Sequence, residues 1–216
     1  MKYTLSKFSH ELRNPLTSLS CTLQFIEHQH PEVRAFKYWS SLHTDVEHMV
    51  RLLDQFSNLS KAERLELSTF SIHELLEQVS LSFAASIQQS NVQYTSKLDP
   101  SLSQITGDKT KLQEVFRNLL KNAYEASLPD KSIYLEAFQN DDFLTVSIHD
   151  TGCGIAPDRL DEIFQPFVTD KTTGTGLGLP ICNQIVTAHQ GTIAVTSAPN
   201  LGTTFRVSLP VNLHIL

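Results

Sequence analysis

Residues 8 to 16 read FSHELRNPL: a histidine, a glutamate directly after it, and an asparagine one helical turn on, ahead of a proline. A neutral imidazole is a competent nucleophile near pH 7, so His10 is a candidate for attack on a phosphoryl group. That attack requires the ring to release or share a proton, and Glu11 is the adjacent acceptor. Asn14, at i+4, projects from the same helix face and can hydrogen-bond phosphoryl oxygens or hold a water. Pro15 removes a backbone donor just below and is expected to bend or loosen the helix. None of the other histidines has such company; the HQH at 28–30 lacks a third metal ligand.

Three clusters in the second half could bind an anionic ligand. DTGCGIAP, residues 150–157, ends a strand pattern; Gly152 and Gly154 permit positive φ and close backbone approach, and Asp150 offers a carboxylate to an amino group. Alone, such a stretch is commonly just a turn. TTGTGLGLPI, residues 172–181, runs Gly174, Gly176 and Gly178 into a helix, where unobstructed N–H groups can cradle phosphate. It matches neither the P-loop nor the Rossmann glycine pattern. FRNLLKNAYEAS, residues 116–127, sets Asn118 and Asn122 four apart on one helix face, where two amides can hold hydrated Mg²⁺ or phosphate oxygens.

These residues need elements to position them. Phe8, Leu12, Leu16, Leu19, Leu23 and Ile26 recur at helical steps, and Pro31 breaks that helix or begins the next. Phe36, Trp39, Leu42, Val46, Met49, Leu53, Phe56 and Leu59 make a second stripe, so an antiparallel helical hairpin is expected. A lone hairpin has little to bury its stripes against, and pairing with a second copy as a four-helix bundle makes the chain a homodimer. From Leu65 to Ser68 the texture changes. Residues 72–89 read as a helix, NVQYTSKL as a strand, and Asp108 as the N-cap of a helix carrying Leu112, Val115, Phe116, Leu119 and Ala123. SIYLEAF and FLTVSIHD read as strands joined by QNDD, then come a helix over 177–189 and the strands GTIAVTSA and TTFRVSL around PNLG. The expectation is an α+β sandwich with helices on one face of a largely antiparallel sheet.

Composition narrows the partners. The net charge is −6, with no Lys/Arg run, so the electrostatic footprint of nucleic-acid binding is missing. Three scattered cysteines without CxxC spacing suggest neither a disulfide framework nor a zinc site, and point to the cytoplasm. No apolar run approaches the ~18 residues of a membrane span, so this chain itself makes no membrane contact.

Order and spacing then decide what each cluster alone leaves open. An asparagine pair on a helix, D-x-G-x-G-I, F-x-P-F, G-T-G-L-G-L opening a helix, and G-T-x-F on a terminal strand resemble the catalytic domain of the sensor histidine kinases of two-component signalling, over about residues 70–210. That domain shares its nucleotide-binding fold with gyrase B, Hsp90 and MutL. FSHELRNPL resembles the phospho-acceptor box of the same kinases, on the first helix of the hairpin where the family places it.

The resemblance implies a dimerisation and histidine phosphotransfer hairpin over 1–66 and a catalytic ATP-binding domain over 67–216. His10 would be phosphorylated from ATP, with Glu11 as general base, and would pass the group to an aspartate of a response-regulator receiver domain. Asn14 would aid dephosphorylation of that regulator. In the ATP domain, Asp150 would accept from the adenine amino group and Thr203 would help fix the same edge. Asn122 would ligate Mg²⁺ with Asn118 beside it, Gly152 and Gly154 would line the nucleotide, and Gly174, Gly176 and Gly178 would wrap the phosphates. Phe164 and Phe167 would anchor a compact lid, resembling that of the nitrogen-regulation and sporulation kinases, and Lys171 would meet a phosphate. Glu125 departs from the basic residue many members carry near the phosphates. Relatives have an input domain or membrane segment before the hairpin, and only nine residues precede His10, so the chain reads as a fragment of a protein tethered or sensing through its missing N-terminal part. The competing reading is a degenerate nucleotide-gated scaffold without kinase activity; another is an ATPase or serine kinase of the wider superfamily.

Overall fold

The computed structural model describes residues 2–127, 131–140, 142–169, 171 and 174–212, with side chains from Glu11 onward. It divides into two compact units, Met1–Lys61 and Ala62–Leu216.

The first unit is a hairpin of α1 (Lys2–Gln29) and α2 (Trp39–Lys61). Pro15 lies inside α1, and the helix continues through it. Pro31 starts a short 3₁₀ turn, Pro31–Ala35, as suits a residue whose N–H is missing. Phe36, read from periodicity as part of the second helix, instead lies in the connection before α2 and is exposed. Leu23, Val33 and Val46 are buried, and the closed end is tied by Glu27, whose carboxylate accepts from Arg34 Nε and stands 3.2 Å from His43 Nε2. The stripes are only half used within one chain. Leu12, Leu19, Leu42 and Met49 each keep about 40% of their surface exposed.

The second unit sets α3 (Ile72–Ser86), α4 (Lys109–Ala126) and α5 (Gly178–Ala188) with a five-stranded sheet in the order β2-β4-β5-β7-β6. The strands are β2 (Gln93–Leu98), β4 (Ser132–Gln139), β5 (Phe143–Asp150), β6 (Thr192–Ala198) and β7 (Gly202–Pro210). β2 runs parallel to β4; the other three pairings are antiparallel. A second sheet pairs β1 (Ser68–Ser71) with β3 (Gln104–Gly107). Neither short strand was expected, because four residues carry too little alternation to be read.

The core follows from two periods. On α4, Leu112, Val115, Phe116, Leu119, Leu120 and Ala123 are buried at 3.6-residue spacing. On the sheet Ile133, Leu135 and Ala137 meet Leu144, Val146 and Ile148, then Phe205, Val207 and Leu209, at every second residue. Each fully buried Leu, Ile or Phe contributes about 1.5–3 kcal/mol, so this face dominates the unit's stability.

One buried polar cluster joins the helix ends. Asp108 caps α4 by accepting Lys111 N–H through Oδ1 at 3.1 Å, and its own N–H donates to His189 Nε2 at 2.8 Å. His189 Nδ1 lies 2.8 Å from Ile185 O, so the ring is the neutral Nδ1–H tautomer. Burial holds its pKa below 6.5. With the folded value depressed, this stability is fully present above pH 6.5 and is lost as pH falls through the folded pKa. The melting temperature is therefore expected to drop from pH 7.5 to about 5.5, and to drop less in His189→Gln.

Candidate functional site

Alternation along β5 carries Ile148 inward and, two residues later, Asp150. A carboxylate thus replaces an aliphatic side chain at the inner strand tip, 2% exposed. Its Oδ1 accepts Gly152 N–H at 2.8 Å, and Thr203, its register partner on β7, supplies a second backbone donor. Burial pushes the Asp150 pKa up, while the two N–H groups and the charges of His149 and Lys171 pull it back. The group is an anchored acceptor with capacity left for a ligand donor. Thr203 is 3% exposed, and its hydroxyl lies 2.9 Å from Ser197 Oγ. Ser197 also accepts Ile155 N–H at 2.8 Å and donates to Gly202 O at 2.9 Å. It binds the 151–156 loop to the β6–β7 turn. Sequence reasoning missed it, because a serine in a strand carries no signal.

The glycines divide by what demands them. A Cβ on Gly152 would stand 2.3 Å from Ala126 O, and one on Gly154, at φ +69°, 2.0 Å from Ala198 O. Their need for glycine thus comes from the protein's own backbone, which holds the loop between the end of α4 and the end of β6: Cys153 N–H donates to Ala126 O at 3.1 Å, and Asn200 N–H donates to Cys153 O at 2.8 Å. Gly176, at φ +66°, is crowded by the backbone of Phe167, whose N–H donates to Gly176 O at 2.9 Å. Phe167 itself has φ +69° and is 61% exposed, and its backbone pairing with Gly176 ties this turn. Phe164 is half-buried. Gly174 packs on Thr169 and Lys171. Gly178 differs: nothing lies within 4 Å of its Cβ position. It opens α5 after Leu177, whose side chain makes no cap.

α4 supplies the facing wall. The buried Cys182 thiol of α5 donates to Val115 O of α4 at 3.8 Å, burial pushes its pKa up to about 12 with Asn118 pulling it back, and Asn122 lies half-buried on α4 one turn beyond Asn118. Glu125 pairs with Lys121 on its own helix and with Lys171. The structure therefore places the expected phosphate lysine against the unexpected acid. Asp170, Thr172 and Thr173, the rest of that expected lid, lie outside the described residues.

In the hairpin, His10 belongs to α1, and its side chain lies outside the described residues. Glu11 and Asn14 are exposed. Arg13, to which the sequence assigned no role, binds Asp54 of α2 at 2.5 Å and so fixes the helix one turn from His10.

A buried carboxylate acceptor, a helix N-terminus without a side-chain cap, and amide oxygens on α4 fit a purine nucleotide and a hard cation. Residues 107–213 match the family model described as histidine kinase-, DNA gyrase B- and HSP90-like ATPase, and residues 1–65 match the His Kinase A (phospho-acceptor) domain. The catalytic domain of the histidine kinase ThkA is 31% identical, with a TM-score of 0.63, covering 68% of this chain and 97% of that one. The chain belongs to the histidine kinase family. Full-length ShkA in complex with AMPPNP superposes over all of this chain and 47% of its own, with a TM-score of 0.85 at 25% identity. ThkA in complex with the response regulator protein TrrA matches 97% of this chain and 61% of that chain, with a TM-score of 0.68 at 25% identity. Among curated relatives, the signal transduction histidine-protein kinase AtoS of Escherichia coli is 34% identical over 94% of this chain. The chain spans 34% of AtoS's length. No described helix is long and apolar enough to cross a membrane.

Proposed function

We propose that this chain is the autokinase core of a two-component system: ATP phosphorylates His10, and the phosphoryl group passes to an aspartate of a response-regulator receiver domain. The observation that carries the reading is the anchored, buried acceptor Asp150 in a chain that also bears an acceptor-box histidine on α1. Asp150 holds the adenine amino group, with Thr203 fixed beside it by Ser197. The N-terminus of α5 and the backbone from Gly174 to Gly178 take the phosphates. Asn122, with Asn118 beside it, would hold Mg²⁺, which when bound neutralises charge on the phosphoryl oxygens. A His10 nitrogen forms the P–N bond as the P–O bond to ADP breaks, and Glu11 takes the ring proton. Asn14 serves the reverse step, regulator dephosphorylation, and the domains span 1–66 and 67–216. Leu12, Leu19, Leu42 and Met49 pack against a second copy, making the homodimer.

Incubation with γ-labelled ATP should give acid-labile, base-stable label that moves to a receiver domain when one is added. Label that resists acid would sink the reading, and ATP binding without label would favour the nucleotide-gated scaffold. The glycine contrast tests the phosphate site. Gly178→Ala should leave the melting temperature unchanged and weaken ATP about tenfold, whereas Gly176→Ala should lower both, since a Cβ there meets Phe167. Equal ATP affinity in Gly178→Ala would remove α5 from the phosphate site.

A further inference from the structure

Asp108 is a costly choice for a helix cap. Ser or Asn would satisfy the N–H of Lys111 equally well, and a carboxylate 5% exposed is expensive to bury unless both oxygens are used. The second oxygen has a separate task. Oδ2 accepts the N–H of Glu66 at 2.9 Å, and Lys111 Nζ, 3.8 Å from Oδ2, donates to Arg64 O. Arg64 and Glu66 lie in the segment between the end of α2 at Lys61 and the start of β1 at Ser68. The backbone arriving from the hairpin is thus bonded at two points to the first turn of α4, the helix that carries Asn118 and Asn122. Behind the cap, His189 accepts Asp108 N–H at 2.8 Å and holds the cluster against α5. Between the last residue of α2 and this attachment lie Ala62, which is buried, and Glu63.

We infer that Asp108 and Lys111 are positioning residues for autophosphorylation: they clamp Arg64–Glu66 to α4, so the freedom between the hairpin and the nucleotide-holding helix is confined to the residues just after Lys61. A short pivot joined directly to α4 makes any rotation there carry Asn118 and Asn122 as one lever toward the acceptor histidine. Without the clamp, the linker lengthens by several residues and the productive encounter becomes a smaller share of the arrangements available. Neither residue touches nucleotide in this scheme.

The inference rests on the autokinase reading, and its test separates the two. In Asp108→Asn one carboxylate oxygen becomes a donor, so the cap can persist while the Glu66 bond is lost; Lys111→Met removes the Arg64 bond and leaves the cap in place. Both variants should bind an ATP analogue within about twofold of wild type yet autophosphorylate about tenfold more slowly. Amide hydrogen exchange at Glu66 should accelerate while α4 from Leu112 to Leu120 keeps its protection, and Lys111→Arg should recover the rate. A wild-type rate in both variants, or unchanged exchange at Glu66, would overturn the clamp. So would loss of ATP affinity and α4 protection in step with the rate, which marks a merely structural role. A wild-type chain that takes no label fails the kinase reading instead, and Glu66 exchange in the two variants then decides the clamp by itself.

Discussion

His10→Gln is expected to abolish covalent labelling from γ-labelled ATP while leaving nucleotide affinity and melting temperature at wild-type values. An amide is not nucleophilic at neutral pH, whereas an imidazole is, so the substitution removes the reacting lone pair and keeps a polar side chain of similar reach. The helix is indifferent to the change, since Gln is among the better helix formers and His among the poorer. ATP affinity should hold because Asp150, Thr203 and the start of α5 all belong to the other unit. Label retained in His10→Gln would move the acceptor elsewhere and revive an ATPase or serine kinase of the wider superfamily.

Asp150→Asn should weaken ATP by roughly 30- to 150-fold without destabilising the protein. Asn can still accept Gly152 N–H, now at 2.8 Å from Oδ1, but its other face becomes an NH₂ group that meets the adenine amino group donor to donor. A lost charged hydrogen bond with a buried polar group left unpaired is worth about 2–3 kcal/mol, which sets the range. Stability should move the other way or not at all. Burial raises the Asp150 pKa above 3.8, so what this group contributes to folding is present below pH 3.8 and lost as pH rises through the folded value. At neutral pH the ionised carboxylate is a cost that function retains, and Asn removes it. Fluorescent-nucleotide titration beside thermal melts distinguishes the cases; a melting temperature that falls together with affinity would make Asp150 structural.

Much of this architecture is legible in local spacing. Asp108 four residues ahead of Leu112 marks the start of α4, and its side chain caps the helix there. The alternation Leu144, Val146, Ile148 puts Asp150 on the inner face by parity. Asn118 and Asn122 share α4, as a four-residue step requires. One expectation shifted: Phe36, read by periodicity into the second helix, lies in the connection before α2. There an aromatic was assigned to a packing stripe on hydrophobicity, and the backbone path decided otherwise.

What spacing cannot reach is the identity of distant partners. STFS and QITG pair as β1 and β3 across more than thirty residues, although neither is long enough to declare a strand. Lys171 lies against Glu125, 46 residues away, and Asp108 gathers Glu66 from 42 residues and His189 from 81. By itself the sequence determined the periods, the caps and the places where only glycine or a carboxylate would serve, because those depend on neighbours within a turn or a strand. The tertiary structure decided which carbonyl makes each glycine necessary, which acid holds Lys171 and which backbone the second oxygen of Asp108 receives. Such pairings form only when the chain's path brings remote backbone together, and no local preference encodes that path.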